Sequence, residues 1–226
     1  MSFSFVKNKI QSCWLRLNSY FCYKNVILMG RWEMPDIDGQ LFISFLNDDA
    51  QDALEVLFNK YRDGLILFLY GYVQNADVAE ELMMDTFAIL ASGTAKYKEK
   101  NGASFKTWLF AVAKNQALLY LRKHKIKLVS SANDFLNNIE ADAGFQPVGM
   151  LLQNEADSRV YRAMKSIDAD YRNALFLLYF ENMKPEQISR IIKKSIKQTY
   201  NILARGKEAL RVAYERMRDS HLAGEG

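Results

Sequence analysis

Apolar residues recur along this chain with the three/four spacing of helices, in two blocks separated by a stretch without that period. In the first block Leu54, Leu57, Phe58, Tyr61, Leu65, Phe68, Leu69 and Tyr72 make one broad stripe, the width expected of a helix half-buried in a core. A second helix is predicted from Asp77, with Glu80 as its capping-box partner and Val78, Leu82, Phe87 and Leu90 on its inner face. Gly93 to Gly102 reads as a polar loop. Ser104 is placed to cap a third helix whose core candidates are Phe105, Leu109, Val112, Ala113 and Leu121.

The second block starts near Glu155. Tyr171, Ala174, Leu175, Leu178 and Tyr179 line a helix that Asn182 closes, and Pro185 suits the first position of the next one. That short helix, with Ile188, Ile191 and Ile192, ends at Lys193 and Lys194, and Ser195 then caps a long last helix. Its polar face carries Lys197, Gln198, Asn201 and Arg205, while Ile196, Tyr200, Leu203 and Leu210 are expected to pack inward. Two helices on so short a turn describe a helix-turn-helix.

Charge divides the blocks further. Between Asp48 and Glu99, ten acids (Asp48, Asp49, Asp52, Glu55, Asp63, Asp77, Glu80, Glu81, Asp85, Glu99) face four cations, whereas Ala103 to Leu128 holds six cations (Lys106, Lys114, Arg122, Lys123, Lys125, Lys127) and no acid. The net charge of +4 conceals this polarity. The first surface suits a basic protein partner; the second suits phosphate. Between Ser131 and Asp157 stand five acids without a Lys or Arg, with Gly144, Pro147 and Gly149, which reads as a flexible acidic linker. From Lys184 to Arg211 eight cations again outnumber Glu186 and Glu208.

Composition removes several function classes. No run approaches the ~18 unbroken apolar residues of a membrane span. Cys13 and Cys22 are the only cysteines, and with His124 and His221 they make no metal-ligand spacing, so a reducing, cytoplasmic setting without metal or cofactor is expected. No nucleophile–His–acid set or phosphate-binding glycine loop is present in the sequence, so an enzyme is not expected.

Together the two blocks resemble the two-domain ECF-type (extracytoplasmic function) sigma factors of bacterial RNA polymerase. AEELMMDTFAIL (Ala79–Leu90) is similar to that family's core-polymerase-binding helix, and SFKTWLFAVAKNQALLYLRK (Ser104–Lys123) to its promoter-melting, minus-ten helix. DYRNALFLLYFENMKPEQISRIIKKSIKQTYNILARGKEALR (Asp170–Arg211) looks like its minus-thirty-five-binding helix-turn-helix. The resemblance runs from about Leu41 to Arg218, in the family's order. It implies an all-α chain: an unmatched extension (1–36), a sigma region 2-like domain (37–128), the acidic linker (129–154) and a sigma region 4-like domain (155–222).

Carried onto matching positions, the resemblance implies that Glu80, Glu81, Leu82, Asp85, Thr86 and Phe87 contact core RNA polymerase. Lys106, Trp108, Lys114, Asn115, Tyr120, Arg122 and Lys123 would meet the melted minus-ten strand, cations holding phosphates while rings stack on unpaired bases. Ser195, Lys197, Gln198, Asn201, Arg205 and Lys207 would meet the minus-thirty-five duplex. Phe105 is read as core rather than contact, and for Trp108, Leu82 and Phe87 a purely core role is the alternative. Leu119 stands where many relatives carry Asp, and Tyr200 where a basic residue is usual. Promoter DNA, core polymerase and an anti-sigma factor are the implied partners, with no small-molecule substrate; an anti-sigma factor would hold the chain at the inner membrane. The alternative is a stand-alone helix-turn-helix regulator with an N-terminal sensing or dimerisation domain.

Residues 1–33 mix Phe3, Phe5, Trp14 and Phe21 with Lys7, Lys9, Arg16 and Lys24. They suit either an amphipathic membrane-surface helix or an upstream stretch that is not translated, with synthesis starting at Met34; the second is the expectation.

Overall fold

The structure, a computed structural model, describes residues 36–47, 50, 52–98, 103–124 and 163–223. The expectations for residues 1–33 and for the acidic linker lie outside these residues. All regular structure among them is helical: α1 (Ile37–Leu46), α2 (Ala53–Val73), α3 (Ala76–Ala91), α4 (Phe105–Lys123), α5 (Ala169–Tyr179), α6 (Pro185–Ile192) and α7 (Ile196–Ala223).

α2 is the organiser of the first block. Its stripe Leu57, Tyr61, Leu65, Phe68, Leu69 and Tyr72 is buried as the spacing predicts, and α1, α3, α4 and α5 all pack on it. Phe68 sits edge-on to Phe110 of α4 at 5.2 Å and stacks with Phe176 of α5 at 6.2 Å. Before α4, the Asp36 carboxylate accepts from the Phe105 amide and from the Tyr97 hydroxyl, which fixes the entry of that helix.

The expected start of α3 is corrected. Asn75, not Asp77, is the N-cap: its side chain accepts from the Val78 amide at 2.9 Å, and the helix begins at Ala76. Asn75 holds the extended backbone that a cap requires, immediately after Gln74 in the left-handed region ends α2. Ser104 does cap α4, accepting from the Thr107 amide at 3.3 Å.

α5 buries Arg172 through Leu177, more than one stripe, because it packs against both α2 and α7; a helix with neighbours on two sides keeps only a narrow solvent face, here with Asp170 exposed. Arg172 is buried within it. Its guanidinium donates to Gly71 O at 3.0 and 3.3 Å, to Lys165 O at 2.7 Å and to Ile167 O at 3.4 Å. Gly71 lies in the last turn of α2, where carbonyls lack helical partners and a cation is favoured. Past Phe180, Asn182 takes a left-handed φ of 52° and Met183 N returns to Leu177 O at 2.9 Å, which turns the chain towards Pro185.

Candidate nucleic-acid and partner-binding surfaces

α3 has no cation, and its acids point outward. Glu80, Glu81 and Asp85 are exposed, whereas Leu82 and Phe87 are buried, Phe87 edge-on to Phe58 at 5.0 Å. Thr86 is fully buried, its hydroxyl donating to Leu82 O at 2.7 Å. The six residues assigned to one surface thus divide into three that face solvent and three that hold the helix in place. Met84, 54% exposed beside these acids, is not singled out by the charge pattern. Its place three and four residues from Glu81 and Glu80 is the signal that points to it.

α4 buries Phe105, Leu109, Phe110, Ala113, Ala117 and Leu121. Trp108 is half-buried, with ring centres 5.3 to 5.6 Å from Tyr97, Phe42 and Phe105, so the indole is mainly a wall of the core. Lys106 reaches Glu181, with an ion pair of 2.6 Å to the carboxylate and a bond of 2.9 Å to its main-chain oxygen. Lys114 is buried, and desolvation pushes its ammonium down to about 8, helped by Lys193 and Lys194 and opposed by Asp170. Asn115 is exposed and accepts from Lys193 Nζ at 3.0 Å.

Towards the C-terminal end the helix opens to solvent. Tyr120 is half-buried with its ring 4.1 Å from that of His124, and Arg122 and Lys123 are exposed in the last turn. Leu119 is 48% exposed, an apolar side chain on this otherwise cationic end.

In the second block, Gln187 accepts from the Lys184 amide at 2.9 Å, closing the first turn of α6. Lys193 then adopts a left-handed conformation (φ 57°), which reverses the chain within three residues. Ser195 and Gln198 form a reciprocal capping box: Ser195 Oγ accepts from the Gln198 amide at 3.2 Å, and Gln198 Oε1 from the Ser195 amide at 2.9 Å. Ser195 and Gln198 therefore build the helix start as well as lining it. Lys197, Asn201 and Arg205 are exposed on one side of α7. Lys207 is only half-exposed, its ammonium 5.9 Å from the Tyr179 ring centre, on the side facing α5.

Two inward assignments on α7 are corrected: Ile196 is 41% and Tyr200 50% exposed. The helix instead turns Thr199, Leu203 and Gly206 inward. The Thr199 hydroxyl is satisfied by Ser195 O at 3.0 Å, and a side chain on Gly206 would press within 3.2 to 3.4 Å of Tyr171 and Leu175. Close approach of α5 leaves room only for glycine at position 206, while Ile196 and Tyr200 lie on the exposed side with Lys197 and Asn201.

Residues 57–126 match the sigma-70 region 2 family. The chain is 26% identical over 164 residues to the ECF RNA polymerase sigma factor SigM of Bacillus subtilis (strain 168), covering 73% of this chain and 96% of that one. It is 23% identical over 177 residues to the ECF RNA polymerase sigma-E factor of Escherichia coli (strain K12), covering 76% and 91%. Among solved structures it is similar in fold to the sigma factor RpoE from Bartonella quintana, in complex with the anti-sigma factor NepR (TM-score 0.51, 17% identity, 73% of this chain and 98% of that one). It is also similar to CnrH in complex with the cytosolic domain of CnrY (TM-score 0.53, 13% identity, 79% and 97%).

Proposed function

We infer that this chain is an ECF-type sigma factor, which binds core RNA polymerase, recognises promoter DNA and starts transcription. The observation that carries the reading is the pairing, inside the region 2 match, of a cation-free helix (α3) with an acid-free, cationic one (α4). A stand-alone regulator needs its helix-turn-helix but has no use for this pair. The relatives are sigma factors, which act by binding rather than by catalysis, and no helix among the described residues is long and apolar enough to cross a membrane.

In this reading the chain works as two domains, 37–128 and 155–222, on the linker 129–154. Glu80, Glu81 and Asp85, with Met84 among them, dock on a basic surface of the polymerase; Leu82, Thr86 and Phe87 set the angle of that face. Lys106, Lys114, Arg122 and Lys123 hold the minus-ten strand by its phosphates, Asn115 offers an amide to a base edge, and Tyr120 is the ring best placed to stack on an unpaired base. Trp108 supports them from the core side. Lys197, Asn201 and Arg205 enter the major groove at the minus-thirty-five element, with Ser195 and Gln198 at the helix start and Lys207 behind them. The protein works in the cytoplasm, and an anti-sigma factor, itself membrane-bound, holds it inactive; an anti-sigma factor is the partner in the solved RpoE–NepR complex above.

The test is transcription in vitro with purified core polymerase on fragmented genomic DNA of the source organism. Promoter-specific transcripts that require the added chain are expected. Retention of the chain on DNA without any assembly with core polymerase would instead support the stand-alone regulator.

A further inference from the structure

Lys114, on the helix α4 that packs along α6, is only 8% exposed. Among the described residues its ammonium has neither a hydrogen bond nor an ion pair. Two more ammoniums come from the turn between α6 and α7. Lys193 donates from Nζ to Asn115 Oδ1 at 3.0 Å, which anchors it beside the residue that follows Lys114. That bond uses one of its three N–H groups and leaves two. Lys193 also holds a left-handed φ of 57°, where glycine is the usual residue, so a side chain is kept there against the backbone preference. Lys194 comes next, exposed and unpaired among the described residues. Burial lowers the proton affinity of Lys114; Asp170 opposes this, and Lys193 and Lys194 add to it. Asp170 is exposed and makes no bond to Lys114.

We propose that Lys114, Lys193 and Lys194 form a binding site for a small free polyphosphate, the di- or triphosphate group of a metabolite, at the seam between α4 and the α6–α7 turn. Three ammoniums repel one another, so their own attraction does not bring them together. Core packing does, through the Arg172 bonds to Gly71 O and the stack of Phe68 on Phe176. A buried charge is stable when it is paired, and the side chains around Lys114 supply no pair. An anion bound there would supply it.

The chemistry of the donors selects the anion. Lysine is a compact point charge without the planar fork of arginine, so the site responds to charge density rather than to the flat shape of a carboxylate. Donors on two separate elements also need acceptor oxygens spread over more than one group, which linked phosphates provide and a single phosphate does not. A ligand held by both blocks stabilises the folded chain by mass action. The functional reading gives Lys114 a strand phosphate, so a bound polyphosphate would take that contact away and let a small anion tune promoter opening. This consequence, unlike the site itself, rests on the functional reading.

Isothermal titration of the full chain with inorganic tripolyphosphate, pyrophosphate, phosphate and sulfate, in magnesium-free buffer at constant ionic strength, tests the site. Affinity is expected to fall in that order. Lys114→Met should weaken pyrophosphate binding about tenfold or more, the scale of a charged hydrogen bond in a desolvated place. Lys194→Gln changes an exposed side chain that the core does not need, and should weaken binding about threefold. Lys96→Gln, an exposed lysine outside the site, should leave it unchanged. Pyrophosphate should also raise the urea midpoint of the parent but not that of Lys114→Met. Affinity equal to the parent's in either site variant would reduce binding to general attraction by a basic chain and overturn the proposal. So would a need for Lys114 in binding a random-sequence single strand but not pyrophosphate, which would leave the lysine to DNA alone. None of these measurements uses polymerase. A chain that binds pyrophosphate as expected yet fails to transcribe with core polymerase keeps this site and loses the functional reading.

Discussion

Replacing Lys114 by Met tests whether a functional cation is kept here at the expense of stability. Met retains the length and most of the apolar volume while removing the charge. Burial lowers the ammonium from 10.5 to about 8, the first cause being desolvation, with repulsion from Lys193 and Lys194 added and attraction to Asp170 opposing. A depressed lysine binds its proton less well folded than unfolded. Between about pH 8 and pH 10.5 the unfolded chain therefore holds more protons, and stability must rise with pH in that window. Below it the lysine is charged in both states and the penalty is fully present. At 1.36 kcal/mol per tenfold change in proton affinity the ceiling is about 3 kcal/mol. Water near the chain end and relaxation reduce this, so a gain of about 1–2 kcal/mol is expected for Lys114→Met at neutral pH. Urea unfolding followed by circular dichroism, at pH values from about 6.5 to about 9.5, measures it. The variant should be more stable at neutral pH, its advantage should shrink as pH rises, and its affinity for single-stranded DNA should fall. A variant less stable than the parent, or a gain independent of pH, would refute the argument that desolvation sets the state of Lys114.

Arg172→Met should act in the opposite direction, lowering stability by about 2 kcal/mol because Gly71 O, Lys165 O and Ile167 O lose charged donors; the same urea titration measures it. Glu81→Lys with Asp85→Lys should abolish co-purification with core polymerase while leaving the helical circular dichroism unchanged, since exposed acids contribute little to folding; normal assembly of the double variant would remove α3 from the interface. Asn201→Ala or Arg205→Ala should weaken upstream duplex binding by ~1–3 kcal/mol for each base edge left unread, measured by titration of a labelled duplex. Tyr120→Ala should spare that binding but reduce permanganate reactivity of unpaired thymines in the open complex. Trp108→Ala should reduce stability as well as opening, because its ring is part of the aromatic cluster with Phe42 and Tyr97.

The features legible in the sequence are those decided within a few residues. The α2 stripe, the Ser104 cap, Pro185 at the head of α6 and the Ser195 cap of α7 depend on local spacing and backbone chemistry, and each is where the pattern predicts. The polarity of α3 and α4 is legible as well, because charge needs no coordinates. Even local rules fail where two signals compete. Asp77 and Asn75 are both good caps, and Gln74 ending α2 settles the choice for Asn75.

The inward side of α7 was settled by tertiary packing. Hydrophobicity places Ile196 and Tyr200 inward, but the face that packs inward carries Thr199, Leu203 and Gly206, and at Gly206 the approach of α5 leaves no room for a side chain. Thr86 reads as a surface residue because a hydroxyl usually wants water; the Leu82 carbonyl supplies its partner inside. Lys106 and Glu181 are 75 residues apart in the chain, and no periodicity links such positions. Their meeting, like the burial of Lys114 and the course of Arg172 to Gly71, follows from the packing of α5 and α6 against the first block. The sequence thus determines the helices and their charges, which are properties of neighbours along the chain. Which charges stay open to DNA depends on contacts between distant segments, and those exist only once the core has closed.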